Sequence, residues 1–319
     1  MSKLAFLFPG QASQYPGMGR DLAEKFPESR AVFDEADAVL GFSISKLCFE
    51  GSEEELKLTE NTQPAILTVS IAAFRALEKR GILPDFAAGH SLGEYSAMVA
   101  AGSLEFSTAV KLVRARGQYM QEAVPAGEGA MAAIMGLSPS DVAEICRKAA
   151  EKEVVSPANV NSPEQIAISG SAAAVKRAVE IASQAGAKRA VMLPVSAPFH
   201  CALMEPARRR LEPELRAAAF GALRFPVITN VDAEAITAGE EARDALIRQV
   251  TAPVRWVESV REMIDTGAGV FVEVGPGKVL TGLLRQIDRS VRCFQAEDST
   301  SLQATMDKIG MARAEKSEA

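Results

Sequence analysis

The chain has 319 residues, 48% hydrophobic and 24% charged, with a formal net charge of −6. That length exceeds what one core usually fills, so a large domain with a smaller companion is expected. The acidic balance speaks against nucleic-acid binding, which needs a basic face, and no apolar run nears the roughly 18–20 residues of a membrane helix, so the expectation is a soluble, cytoplasmic enzyme.

The first predicted element is a strand, Leu4 to Phe8, ended by Pro9-Gly10 and too short for a signal-peptide core. A helix over Glu28 to Leu40 follows, then one over Pro64 to Arg80 with Ile66, Val69, Ala73, Phe74 and Leu77 on one face and Pro64 in its first turn. Next, an apolar stretch ending Phe86-Ala87-Ala88 runs through Gly89-His90-Ser91-Leu92-Gly93-Glu94 into a helix-forming stretch, Tyr95 to Ala101. That is a strand, a sharp turn and a helix with a hydroxyl at the apex. The turn demands glycine two residues either side of the serine, where neighbouring chain leaves no room for a Cβ. A helix from Ser107 to about Met120 turns Ala109, Val110, Leu112 and Val113 inward and leaves Lys111, Arg114 and Arg116 to other faces.

From Gly129 to Val195 the pattern changes to strand (Ala130 to Met135), helix (Pro139 to Lys152), strands (Val154 to Val160 and Gln165 to Gly170), helix (Ala172 to Gln184) and strand (Arg189 to Leu193). That β-α-β-β-α-β order is the ferredoxin-like unit, its first helix capped by Ser138 and opened by Pro139. The α/β pattern then resumes: helix Leu203 to Ala219, strand Phe225 to Asn230, helices Ala242 to Val250 and Val254 to Asp265, and strand Val270 to Val274. Gly275-Pro276-Gly277 turns the chain into a helix, Val279 to Gln286, and a last strand, Val291 to Gln295; beyond Met306 a charged, alanine-rich tail is expected to fray. The expected fold class is α/β: a large α/β-hydrolase-like parallel-sheet domain, residues 1–127 and 196–319, interrupted by a small ferredoxin-like subdomain, residues 128–195.

Ser91 needs a base, and the chain offers two histidines. His90 adjoins the serine, and in an elbow the adjacent side chain points away. His200, in Pro194-Val195-Ser196-Ala197-Pro198-Phe199-His200, is the candidate, since a neutral imidazole suits proton abstraction from a hydroxyl. The Leu92 N–H at the helix start faces the place where an acyl oxygen would become negative; a second donor is expected from Phe8-Pro9-Gly10-Gln11-Ala12, at the carboxyl end of the first strand. Four cysteines (Cys48, Cys146, Cys201, Cys293) lack C-x-x-C spacing, so neither disulfides nor a metal site is indicated. A Cys201–His200 pair is disfavoured because adjacent residues rarely present side chains in register.

Over nearly its whole length the chain resembles the malonyl-CoA:acyl carrier protein transacylases of fatty-acid synthesis, and the acyltransferase domains of polyketide synthases. The matching stretches are Phe8-Pro9-Gly10-Gln11, Thr62-Gln63-Pro64-Ala65, Gly89 to Glu94, Arg116-Gly117, Ala158-Asn159 with Asn161-Ser162-Pro163, Pro198-Phe199-His200 and Glu273 to Gly277. The resemblance implies a Ser91 nucleophile, His200 as base, an oxyanion hole from the N–H groups of Gln11 and Leu92, and Arg116 on the malonyl carboxylate. It places the second imidazole nitrogen on the main-chain carbonyl of Gln249, so no triad carboxylate is needed. His90, Asn159 and Phe199 are candidate pocket residues, Phe199 narrowing the acyl site. The family's first loop usually reads G-Q-G, and here Ala12 replaces the second glycine.

A guanidinium suits this task because an anionic acyl tail enters a dry site only if met by a bidentate charge. The implied substrates are malonyl-CoA and the 4'-phosphopantetheine arm of an acidic acyl carrier protein, with no resident cofactor, metal, nucleic acid or membrane partner. Arg208-Arg209-Arg210 and Lys188-Arg189 are candidate docking runs. The alternatives are an acyltransferase of polyketide synthesis, a serine thioesterase or hydrolase, and a silent binding subunit that would lack Ser91 or His200.

Overall fold

The computed structural model describes residues 2–195 and 197–314. Ser196 and the last five residues, on which part of the His200 stretch and the end of the expected tail fall, lie outside the described residues.

Among the described residues ten strands follow in chain order: β1 (Lys3–Phe8), β2 (Phe86–Gly89), β3 (Gly129–Met135), β4 (Val155–Ser162), β5 (Gln165–Ser171), β6 (Arg189–Met192), β7 (Val227–Ile228), β8 (Ala235–Ile236), β9 (Ala268–Val274) and β10 (Arg292–Ala296). Side chains alternate across a strand, so Leu4, Phe6 and Phe8 enter one apolar layer and Ala5 and Leu7 another. A strand buried on both faces belongs inside a parallel sheet. β1 accordingly lies between β9 and β2 in a six-stranded sheet, ordered β10-β9-β1-β2-β7-β8 and parallel except at β7–β8. Helices Pro27–Leu40, Thr59–Glu78 and Phe106–Glu122 contribute to the first layer; Trp256–Asp265 and Val279–Ile287 contribute to the second.

The other four strands form an antiparallel sheet, β4-β5-β3-β6, with its own core against helices Pro139–Ala150 and Ala172–Gln184. The chain is thus a mixed α/β protein with a largely parallel sheet and a separate small antiparallel one in the ferredoxin-like order. Val254, between the helices Gly239–Gln249 and Trp256–Asp265, joins the second apolar layer of the large sheet to the small sheet. Its N–H donates to the Ala158 carbonyl and its carbonyl accepts from the Val160 N–H, both at 2.9 Å, making a parallel bridge onto β4.

Several elements differ from the sequence expectation. The helix expected to open at Pro64 begins at Thr59, because Thr59, Thr62 and Gln63 are buried toward the interior instead of forming a solvated loop. Pro64 therefore sits inside the helix, where it removes one backbone donor. The strand expected to reach Asn230 ends at Ile228, and Asn230 turns to other partners. Three short helices, Arg20–Lys25, Ile44–Glu50 and Glu53–Lys57, were too brief to show periodicity. The helix expected from Leu203 starts as a 3-10 turn, Ala202–Met204, before Glu205–Ala217.

Candidate active site

β2 ends at Gly89 and the next helix, Gly93–Ala100, starts four residues on. A Cβ on Gly89 would lie 1.9 Å from the Gly93 backbone, and one on Gly93 would lie 2.0 Å from the Phe8 carbonyl oxygen. Close approach, not positive φ, therefore demands both glycines. The strain falls on Ser91, which is left-handed at φ 52°. The side chain of Asn230 clamps the turn, accepting from the Ser91 N–H at 2.7 Å and donating to the Gly89 carbonyl at 2.6 Å.

At the apex, Ser91 Oγ lies 2.7 Å from Nε2 of His200, whose Nδ1 lies 2.9 Å from the Gln249 carbonyl oxygen. A carbonyl can only accept, so Nδ1 carries the proton and Nε2 faces the serine with its lone pair. Burial first, and then the Arg116 charge, pull the His200 pKa down to about 3, which keeps the imidazole neutral. Gln249 closes the helix Gly239–Gln249, and its side chain returns to the elbow.

Arg116 is 1% exposed. Its Nη2 donates to Ser91 Oγ at 3.2 Å and to Gln249 Oε1 at 2.9 Å, its Nη1 donates to Gln63 Oε1 at 2.7 Å, and its Nε has no hydrogen-bond partner. A cation held this deep by neutral groups is short of an anion. The position follows from Gly117, where a Cβ would lie 2.6 Å from Glu60 Cα: the two helices cross there closely enough to bring Arg116 against Gln63.

Ser91, His200, Arg116 and Gln249 thus converge. Leu92 is the N-cap of the elbow helix, where a main-chain N–H has no helical acceptor. Gln11 lies on the loop after β1, whose Gly10 would put a Cβ 2.4 Å from the His90 carbonyl oxygen; its side chain accepts from Thr59 Oγ1 at 2.7 Å. Ala12 keeps a left-handed backbone at φ 79° despite its Cβ. His90 turns its Nε2 to Asn161 Oδ1, 2.8 Å away on β4, and its ring edge to Trp256. Asn159 is buried on β4 at the bridge to Val254, and Phe199, half-buried beside His200, packs against both sheets' cores. Burial raises the Cys201 thiol, which donates to the Pro198 carbonyl. Asn230, Gln63 and Glu94 carry no role on sequence grounds; each is a polar residue in an otherwise apolar or motif stretch, and only their convergence reveals them.

Arg208 pairs with Glu205 and Glu212, Arg209 with Glu205, Arg210 with Glu122 and Lys188 with Glu164. The expected docking runs are therefore largely neutralised. Among the described residues no helix is long and apolar enough to cross a membrane, and no cluster of His, Cys, Asp and Glu could hold a metal.

A parallel-sheet fold with a serine at such an elbow is the class shared by serine hydrolases and acyltransferases. The family model described as "Acyl transferase domain" matches residues 5–309, and the chain belongs to that family. It is 48% identical over 310 residues to a Bacillus subtilis protein named malonyl CoA-acyl carrier protein transacylase, covering 97% of this chain and 98% of that one. The Escherichia coli K12 protein of the same name is 48% identical, covering 96% and 100%. Among solved structures, an acyl carrier protein S-malonyltransferase from Vibrio cholerae superposes with a TM-score of 0.93 at 49% identity, covering 95% and 99%. A malonyl-transacylase in complex with a type II PKS acyl-carrier protein superposes at 0.94 with 45% identity, covering 96% and 100%.

Proposed function

We propose that the chain transfers a malonyl group from malonyl-CoA to the phosphopantetheine thiol of an acyl carrier protein in fatty-acid biosynthesis, through an ester on Ser91. One observation carries the assignment of residues: a buried guanidinium, hydrogen-bonded only to neutral groups and with its Nε unpaired, stands 3.2 Å from the same Oγ that lies 2.7 Å from an imidazole. The relatives named malonyl CoA-acyl carrier protein transacylase support the choice of acyl group.

In this cycle Ser91 Oγ attacks the thioester carbonyl and its proton passes to His200 Nε2. The N–H groups of Gln11 and Leu92 receive the oxyanion. The C–S bond breaks, and coenzyme A leaves with the proton from His200. The carrier thiol then gives its proton to His200 and attacks the ester, and Ser91 recovers its hydrogen. Arg116 pairs with the malonyl carboxylate throughout, while His90, Asn159 and Phe199 line the acyl site. We read residues 128–195 as a subdomain that keeps water from the ester, and the enzyme as cytoplasmic, without a resident cofactor.

Intact mass measured after mixing with malonyl-CoA tests the reading. Wild type should gain one malonyl group and lose it to a carrier thiol, and Ser91→Ala should gain none. Free malonate released as fast as coenzyme A, without any thiol, would instead indicate a hydrolase.

A further inference from the structure

Glu94 lies in the first turn of the elbow helix with no exposed surface, and the proposed transfer gives it no step. Its Oε2 accepts from Gln249 Nε2 at 2.8 Å and from the Asn230 N–H at 3.3 Å, while Oε1 has no hydrogen-bond partner. The other hydrogen of the same Gln249 amide goes to the Ser91 carbonyl at 2.8 Å. With both hydrogens engaged, the amide plane is fixed, and its oxygen meets Arg116 Nη2 at 2.9 Å. Reversed, the amide would set NH2 against the guanidinium and oxygen against a carboxylate, two repulsive contacts at once. Without Glu94 the amide keeps the Ser91 carbonyl, and its other hydrogen has only Asn230 Oδ1, at 3.4 Å, to turn to, so the plane is held less firmly.

We propose that Glu94 is a positioning residue for selection of carboxylated acyl groups, acting through the Gln249 side chain to hold the Arg116 guanidinium beside Ser91 Oγ. The inference rests on the malonyl-transfer reading and adds to it the residue that aims the recognition group. The role needs an acceptor at Oε2 and not a charge. Burial pushes the Glu94 pKa up to about 7, and a proton taken up there has the unpaired Oε1 to occupy, leaving Oε2 to Gln249.

The test is the ratio of kcat/KM for Ser91 loading from malonyl-CoA to that from acetyl-CoA, since damage to the fold or to the serine and histidine lowers both alike. Glu94→Met removes the acceptor and should lower the ratio by about tenfold or more, whereas Glu94→Gln keeps an acceptor and should stay within about threefold of wild type. Gln249→Met cuts the same chain nearer Arg116, leaves the main-chain carbonyl to His200, and should lower the ratio as far as Glu94→Met. The double variant should fall no further than either single one. Equal losses for the two acyl groups, a Gln variant as impaired in ratio as the Met variant, or additive effects in the double variant would each overturn the proposal. Should Glu94→Met not fold, an unchanged ratio in Gln249→Met overturns it as well. No malonyl ester on the wild type would remove the functional reading itself; normal wild-type loading with an unmoved ratio in the variants removes only the role of Glu94.

Discussion

At the scale of single residues, the site depends on groups placed where their ordinary preferences oppose them. Ala12 holds φ 79° where a glycine would be unstrained, and its side chain is exposed. Ala12→Gly should therefore raise stability by about 1 kcal/mol in denaturant melts. Arg116 is a buried cation bound only to neutral oxygens. By analogy with truncating one member of a buried charge pair, Arg116→Ala should cost malonyl loading about 2–5 kcal/mol and spare acetyl loading. Equal loss for the two would exclude its recognition role. His200 has a folded pKa of about 3, below its ordinary 6.5. Between those values the unfolded chain binds a proton that the folded one does not, so this group's contribution is full above about pH 6.5 and declines as pH falls toward 3. Wild type should lose more stability between about pH 7 and about pH 5 than His200→Gln does, measured by urea midpoints. Acylation should show no decline near pH 6.5 from loss of the base.

Among the elements, the elbow was legible because its glycines report a steric fact. Gly89 and Gly93 touch backbone, and a strand-turn-helix pattern around serine needs little more to be recognised. Arg116-Gly117 was legible only as a resemblance. Its physical reason is the crossing of Phe106–Glu122 over Thr59–Glu78, and two residues adjacent in a helix do not reveal which distant helix they meet. Gly117→Ala should force those helices apart, costing about 1–3 kcal/mol and lowering malonyl loading more than acetyl loading as Arg116 leaves Gln63. Crystals or melts showing an undisturbed crossing with unchanged loading would contradict this. Asn230 was hidden for a different reason. Its apolar predecessors read as strand, while the amide's partners, Ser91 N–H and Gly89 carbonyl, lie far away in sequence.

Across the whole molecule, alternating and helical periodicities located the strands of both sheets except the two-residue β8, Ala235–Ile236, too short to show a pattern, but nothing in them told how the sheets would meet. That contact rests on Val254 bridging β4 and on His90 bonding Asn161, pairs with no local signature. Asn161→Ala leaves His90 Nε2 without this partner and, on the proposal that residues 128–195 keep water from the ester, should loosen that cover. Ser91 should still load, but free malonate should appear faster in the absence of a thiol acceptor; an unchanged rate of release would separate this contact from water exclusion. The segment that supplies Val254 to the small sheet begins at Gln249, whose carbonyl steers the His200 ring. Movement of the small sheet would therefore reach the imidazole through the five residues of main chain from Val254 back to Gln249. A displacement that carried Val254 along with β4 would thus shift the acceptor that fixes the imidazole tautomer, so proton transfer to His200 is expected to depend on the small sheet staying docked.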